Sequence, residues 1–391
     1  MADVFVRKLY LKNYRSYPDL YLALDPGLNI LVGANAAGKT NLLEAIYYLA
    51  AARSPRSPRD VELIHWGQEG FYIKALVTDG QVEHTLEFGF RSGRKKSIRM
   101  DGVPQERVSN IVGLINAVIF SPDDLSLIKG RPDIRRRFFD GEIGQVNPRF
   151  LSFHQRYYRI LMQRNDVLKR LRRNRAVPED ALVQLQPWDE QLVQAGGELI
   201  VMRLDALRQW GALTQATYRE LSGPEEELDL AYESSVGGSQ ALTSRSPSTE
   251  PPTVVDWQAA FKDALERARE TELERGHTVI GPHRDDVRLT LNGHDLKEYG
   301  SQGQQRSAAL AIKIAEVEWM RLETRRSPVL LLDDVMSELD ISRSQRLAQL
   351  LDRGTQTILT CTDLADVDYD VLEGTLWRVR NGEVIPVAER K

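Results

Sequence analysis

The sequence predicts an α/β protein with a mainly parallel sheet, an antiparallel β region and a long helical insertion. Three observations predict it. Short apolar runs, "LNILVG", "INAVIFSPDDL" and "PVLLLD", alternate with helix-like stretches, the order that builds a parallel sheet. Between Phe71 and Met100 apolar and polar residues alternate and turn signals intervene, as in an antiparallel set. From about Pro132 to Leu221 the chain is Arg-rich and helical in pattern.

The elements follow in order. "VFVRKLYL" and "LYLALD" read as two strands ahead of the buried strand "LNILVG". The helix "TNLLEAIYYLAAA" stops before the Pro-rich "RSPRSPRD". The helical middle is expected to break near Pro178 and Pro187. Residues 233–253 are rich in Ser, Pro and Gly and read as an exposed flexible loop. A helix, "VDWQAAFKDALERARETELERG", precedes "HTVIGPHRDDVRLTLNGHDL", which reads as strand–turn–strand. The last third reads as helix, strand to Asp333, helix from Ser342, strand "QTILTC", and a closing pair around Asn381-Gly382.

With 391 residues, 42% hydrophobic and 28% charged, the chain has room for two or three domains and an ordinary globular core. No run approaches the roughly 18 to 20 apolar residues of a membrane span. The opening "MADVFVRKLYLKNYRSY" lacks the apolar core of a secretory signal. One cysteine, Cys361, cannot form an internal disulfide, and six scattered histidines show no zinc spacing. A reducing cytoplasm is the expected location.

"LNILVGANAAGKTNLLEA" carries a full P-loop between strand and helix: Gly33, Ala34, Asn35, Ala36, Ala37, Gly38, Lys39 and Thr40. Its glycines let backbone N–H groups converge on phosphates. Lys39 would reach the β- and γ-phosphates of ATP, and Thr40 would offer its hydroxyl to Mg²⁺. Such a loop needs a second acidic element, and "SPVLLLDDVMSELD" supplies it. Asp333, at the strand end, would hold Mg²⁺, and Asp334 would orient the attacking water as general base. Paired aspartates can also simply end a buried strand and cap the next segment.

"YGSQGQQRSAALAIKIAEVEW" opens a helix, and Ser301 and Gln304 have capping-box spacing. Capping leaves unexplained Gly303, a position where the bare backbone favours close approach by a ligand. The order of P-loop, long insertion, Ser-x-Gly-Gln turn, then a strand with two acids and "SELD" resembles the ABC-type ATPase head. In that class two heads pair head-to-tail. Each signature turn, here Ser301, Gln302, Gly303 and Gln304, would then close on ATP held by the other copy.

The resemblance narrows through "LKNYRSY", "GANAAGKTNLLEAIYYLA", "FSPDDLSLIKGRPDIRRRFFD", "GPHRDDVRL", "SQGQQRSAALAIKIAE" and "LLLDDVMSELD", in order over nearly the whole chain. Together they resemble the RecF family, recombination and gap-repair ATPases related to SMC proteins. The resemblance implies a weak DNA-stimulated ATPase acting as a clamp: it dimerises on ATP, releases DNA on slow hydrolysis, and works with RecO, RecR and RecA. It implies an ABC-type head from 1–131 and 277–391, and a helical lobe from 132–276. It places Arg15 and Ser16 beside the nucleotide and Ser337 to Asp340 across a dimer interface. Ser121 stands where many such heads carry a metal-contacting Gln, so Ser121 or Asp123 would substitute. Thr360, Cys361 and Thr362 stand where many have a switch His. The alternatives are the ATPase subunit of a membrane transporter or an SMC-like chromosome organiser.

The net charge of −4 conceals a local excess: fourteen Lys/Arg against four Asp/Glu from Lys129 to Arg175, with aromatics interleaved. Such a run is either a solvated helix face or a match for a phosphodiester backbone. The candidate DNA contacts are Arg135, Arg136, Arg137, Arg156, Arg159, Lys169, Arg170, Arg172 and Arg173. His283 and Arg284 would either contact DNA or tie the lobe to the head through Asp285 and Asp286. An insertion helix of about 25 residues would span roughly 38 Å, a short lobe rather than an SMC arm.

Overall fold

A computed structural model describes the chain except for residues 1–3, 79–80, 175–177, 238–241, 244–251, 336–346, 348–354, 364–373, 381 and 388–391. The chain forms two compact units, Met1–Asp124 with Lys313–Lys391, and Leu125–Ile312.

The first unit opens with β1 (Phe5–Tyr14) and β2 (Tyr17–Ala23), an antiparallel pair, and then β3 (Leu28–Val32). Helix α1 (Lys39–Ala51) follows the P-loop and buries residues on every face, so it must lie inside the unit rather than on it. Next come β4 (Gly70–Thr78), β5 (Glu83–Arg91), β6 (Ser97–Met100) and β7 (Val103–Pro104). These complete an antiparallel sheet in the order β2-β1-β4-β5-β6-β7. Tyr48 of α1 meets Phe71 and Phe88 edge-on, with ring centroids 5.8 and 5.3 Å apart, and so locks the helix onto this sheet. β8 (Ala117–Phe120) is buried throughout.

The second unit holds α2 (Ser126–Lys129), α3 (Pro132–Val146), α4 (Pro148–Asn174) and α5 (Pro178–Ser222). Then come β9 (Leu228–Glu233), β10 (Leu242–Thr243), α6 (Val254–Arg275), β11 (Asp286–Leu291), β12 (His294–Asp295) and α7 (Leu296–Tyr299). Of the two expected breaks, Pro178 opens α5, but at Pro187 there is none: α5 runs unbroken for 45 residues with Pro187 inside it. At 1.5 Å per residue it spans roughly 68 Å, well beyond the short lobe expected. The lost N–H of Pro187 is tolerated because α5 is held by packing: Leu185, Leu192, Ala195 and Leu199 are all fully buried.

Three further sequence expectations meet the structure here. "HTVIGPHRDDVRLTLNGHDL" is extended only from Asp286, and the residues before it form turns that serve as hydrogen-bond acceptors and donors. Residues 277–312 lie in the helical unit rather than with 1–124, because β11 pairs along its whole length with β9. The stretch 233–253 begins inside β9, and most of it lies outside the described residues.

Helix α8 (Gln302–Thr324) begins in the second unit and ends in the first, where β13 (Val329–Asp333), β14 (Thr357–Cys361), β15 (Thr375–Arg380) and β16 (Glu383–Pro386) follow. They join a second sheet in the order β16-β15-β3-β14-β13-β8. All its pairings are parallel except the edge pair β15–β16. The P-loop strand β3 thus sits between two parallel neighbours, which explains why it reads as a continuous apolar run.

Candidate nucleotide-binding site

Parallel pairing fixes where the chemistry lies. Register pairs Leu332 with Phe120, Asp333 with Thr360, and Cys361 with Val32. The carboxyl ends of β8, β13, β14 and β3 therefore present Ser121, Asp333, Thr360 and Gly33 along one sheet edge, the place where open α/β sheets bind ligands.

The loop itself depends on two glycines. A Cβ on Gly33 would meet the Val379 carbonyl oxygen at 2.4 Å. Gly38 has φ +112° and packs so closely that a Cβ would come within 2.7 Å of Ser16 Oγ. The Tyr17 hydroxyl donates to the Gly38 carbonyl over 3.0 Å, and Asn41 Nδ2 donates to Ser16 Oγ over 3.0 Å. Ser16 and Tyr17 thus brace the turn from the β1–β2 hairpin. Ala36, at φ 64°, adopts the left-handed conformation without glycine's freedom.

The buried Lys39 ammonium donates to the Gly33 carbonyl over 2.7 Å and stands 3.6 Å from Asp334 Oδ2. Thr40 Oγ1 donates to Asp333 Oδ1 over 2.9 Å. Thr360 Oγ1 donates to the same oxygen over 3.1 Å and accepts from the Asp334 N–H over 2.9 Å. Burial pushes the Asp333 carboxyl up, and these two hydroxyls oppose that rise. Asp334 itself is left-handed, at φ 52°. P-loop and strand-end acids are therefore one hydrogen-bonded assembly.

Arg15, expected beside the nucleotide, is bonded to the helix that follows the P-loop and to the turns after it. Its Nε and Nη2 grip the fully buried Glu44 of α1 at 2.8 and 2.9 Å, Nη1 donates to the Glu62 carbonyl over 2.8 Å, and Nη2 also reaches Ser57. Its guanidinium is committed to holding α1. At the end of β8 the Ser121 N–H donates to Asp124 Oδ2 over 2.8 Å, while Asp123 is exposed. Ser337 to Asp340 lie outside the described residues.

At the start of α8, Ser301 and Gln304 form the reciprocal cap their spacing predicts: Ser301 N–H to Gln304 Oε1 at 2.8 Å, and Gln304 N–H to Ser301 Oγ at 3.2 Å. Ser301, Gln302 and Gly303 are exposed. A Cβ on Gly303 would meet nothing nearer than Ser301 Oγ at 3.9 Å, so the chain's own packing does not require glycine there.

Residues 5–367 match the family described as the RecF/RecN/SMC N terminal domain. The DNA replication and repair protein RecF of Halothermothrix orenii is 38% identical over 382 residues, covering 97% of this chain and 98% of the relative. The same-named protein of Symbiobacterium thermophilum is 39% identical over 386 residues, covering 98% of each. The chain belongs to the RecF family. A solved structure of the recombination mediator protein RecF-ATP in the RecFOR pathway is similar at a TM-score of 0.88 and 32% identity, covering 99% of this chain and 98% of that one. An Smc head domain from Pyrococcus furiosus, at a TM-score of 0.51 and 16% identity, shares the fold alone.

Within this RecF-family chain the basic candidates divide by burial. Arg135 is buried and grips Asp286 through two bonds of 2.9 and 2.7 Å, and Arg136 donates to the Asp285 carbonyl. Arg137, Arg156, Arg159, Lys169, Arg170, Arg172 and Arg173 are exposed. Asp285 accepts from Ser235 and the Tyr232 hydroxyl, so the expected ties of Asp285 and Asp286 to His283 and Arg284 are replaced by these partners. His283 meets the Tyr157 hydroxyl at 2.7 Å, and burial pulls its pKa down to about 3.

Sequence reasoning missed Glu44, Asn41 and Tyr17 as supports of the loop, and Arg164 and Arg203 as buried anchors. Arg164 is fully buried and donates to Asp189, Thr278 and Glu272 over 2.6 to 2.7 Å. Arg203 grips Asp140 through two 2.7 Å bonds. For Glu44 a signal was present: a lone acid inside an otherwise apolar helix face is buried only when paired.

Proposed function

We propose that this chain is an ATP-dependent DNA-binding clamp of recombinational gap repair and replication restart. The observation that carries the reading is the Thr40–Asp333–Thr360 hydrogen-bond chain, which holds P-loop and strand-end acid together as a nucleotide site requires. Family membership supplies the DNA: the relatives are named as DNA replication and repair proteins.

ATP would lie on the loop from Gly33 to Thr40, its phosphates met by backbone N–H groups and by Lys39. The Thr40 hydroxyl and the Asp333 carboxylate are hard oxygen donors of the kind Mg²⁺ takes, and they fit that ion. When bound, the ion would offset phosphate charge. Asp334 would orient water for attack, its backbone held by Thr360. Ser121 would stand beside them at the end of β8.

A second copy would close each site through Ser301 to Gln304, whose exposed turn leaves room over Gly303 for a phosphate. Dimerisation would thus follow ATP binding, and slow hydrolysis would release DNA. Thr360, in the place of a switch His, spends its hydroxyl on Asp333 and on Asp334, which favours a slow, timed ATPase stimulated weakly by DNA. RecO, RecR and RecA are the partners that family membership suggests, in a cytoplasmic setting.

The test is DNA binding by the purified protein with and without ATP, using gapped, duplex and single-stranded probes at several salt concentrations. ATP-dependent retention of DNA supports the clamp. Binding indifferent to ATP would reject it.

A further inference from the structure

A basic stretch of the first unit contains none of the DNA-contact candidates named above. Residues 53–69 and 91–99 together carry eight Lys/Arg against three Asp/Glu, in a chain whose net charge is −4. Backbone and side-chain bonds hold the two segments together. Ser92 N–H donates to the Glu69 carbonyl over 2.9 Å, and Lys96 Nζ lies 2.9 Å from Asp60 Oδ2 and donates to the Ala52 carbonyl.

The three carboxylates in these segments are each engaged. Glu62 pairs with Arg59, Glu69 with Arg91, and Asp60 with Lys96. Arg94 and Lys95 are exposed and have no ion-pair partner among the described residues, whereas the exposed Arg56 acts electrostatically on Asp333 of the nucleotide site. The surface is therefore cationic after its internal pairs are set aside.

Trp66, in the first segment three residues before the Glu69 that bonds Ser92 and Arg91, is 94% exposed. Tryptophan is strongly buried on average, so an indole held almost wholly in water calls for a partner. It is not on a loose strand. His65 N–H donates to the Asn13 carbonyl over 2.8 Å, His65 Nδ1 meets the Arg15 carbonyl oxygen at 2.6 Å, and Gln68 N–H returns to the His65 carbonyl over 3.1 Å. The turn is thus pinned on both sides of the ring, and docking would order little that is not already ordered.

We infer that this surface is a second DNA contact, in which Arg94 and Lys95 bind phosphates and Trp66 stacks on an unpaired base. Exposed cations on one segment and a pinned, exposed aromatic on the segment bonded to it are what a single-stranded segment needs: charge tracks the backbone, and any base offers a face to stack. Duplex DNA keeps its bases stacked on one another, so it would use the cations alone. The surface therefore favours DNA with a single-stranded stretch. The inference rests on the reading of the chain as a DNA-binding protein.

The test uses the full-length protein with ATP and Mg²⁺, and fluorescence anisotropy of a gapped duplex and of the same sequence fully paired. The double variant Arg94→Gln/Lys95→Gln is expected to weaken binding to both probes. It should lower the slope of log affinity against log salt by about 2. Trp66→Ala is expected to weaken gapped DNA roughly ten-fold and leave the duplex unchanged. All the side chains changed are exposed and outside the nucleotide site, so ATP binding and melting temperature serve as controls that should not move. If the unaltered protein holds DNA while both variants hold it equally well, with the same salt slope, the surface is not a DNA contact. The inference is equally overturned if Trp66→Ala spares both probes, as it would if the indole docks another protein. If the unaltered protein holds no DNA at all, the clamp reading itself fails.

Discussion

Thr40 Oγ1 and Asp333 Oδ1 are joined by a 2.9 Å hydrogen bond across 293 positions of sequence. The bond exists because β3 and β13 flank β14 in one parallel sheet, so the loop after one strand and the acid ending the other meet at the same edge. Hydroxyl and carboxylate are thus held together by the fold itself, the kind of fixed arrangement that spares a site from reorganising at the moment of reaction.

Thr360 is the hidden support of that pair. Thr360→Val keeps the shape of the side chain and removes the donor to Asp333 and the acceptor from Asp334. Steady-state assays should show kcat lower by about 10- to 100-fold, the usual cost of losing an outer-shell bond. ATP affinity measured without Mg²⁺ should be little changed. An unaltered kcat would mean that Asp333 is positioned without it.

Lys39→Met removes the ammonium that stands 2.7 Å from the Gly33 carbonyl. Titration with a fluorescent ATP analogue should show no saturable binding, or binding without turnover, while circular dichroism retains the α/β signature. Normal turnover by this variant would mean that the loop does not act as a phosphate grip.

Arginines predicted alike from sequence should part company on mutation. Arg135→Ala leaves Asp286 without its two-pronged partner, and urea unfolding should show a loss of about 3–5 kcal/mol, typical of a broken buried pair. Arg170→Gln alters an exposed side chain, so stability should stay within about 0.5 kcal/mol. If Arg170 meets a phosphate, the salt slope of DNA binding should fall by about 1. The opposite pattern would reverse the assignment.

These contrasts mark what was legible in the sequence. The P-loop, its strand and helix, and the two strand-end acids were readable because glycine spacing and a β-branched run leave a local imprint. The Ser301–Gln304 cap was readable for the same reason, being closed within four residues. The unbroken α5 was not, because burial along the helix outweighs the proline penalty, and burial is a property of the packed chain. Nor was the division of the arginines: Arg135 and Arg170 look alike until Asp286, some 150 residues away, takes one of them. The same holds for Arg15, whose partner Glu44 reaches it only after β1 and α1 have packed.

His283 gives the second unit a pH dependence of stability. In the folded chain burial holds its pKa at about 3, whereas an unfolded histidine titrates near 6.5. Between those values the unfolded chain takes up a proton that the folded chain refuses. Stability present above pH 6.5 is therefore lost progressively as pH falls toward 3. Arg203 and His154, against the opposing effect of burial, hold the Asp140 carboxyl well below its usual range, and this adds its own loss only below about pH 4. The melting temperature should thus decline from pH 6.5 to 4, and His283→Asn should flatten that part of the curve. An equal slope in the variant would assign the decline to other groups.

The central claim is that ATP joins two copies through the exposed turn at the start of α8. Sedimentation velocity of Asp334→Asn with ATP and Mg²⁺ tests it most directly, compared with the same variant carrying Ser301→Arg. The account predicts a dimer for the first and a monomer that still binds ATP for the second. A monomer in the first, or an equal dimer in both, would contradict it.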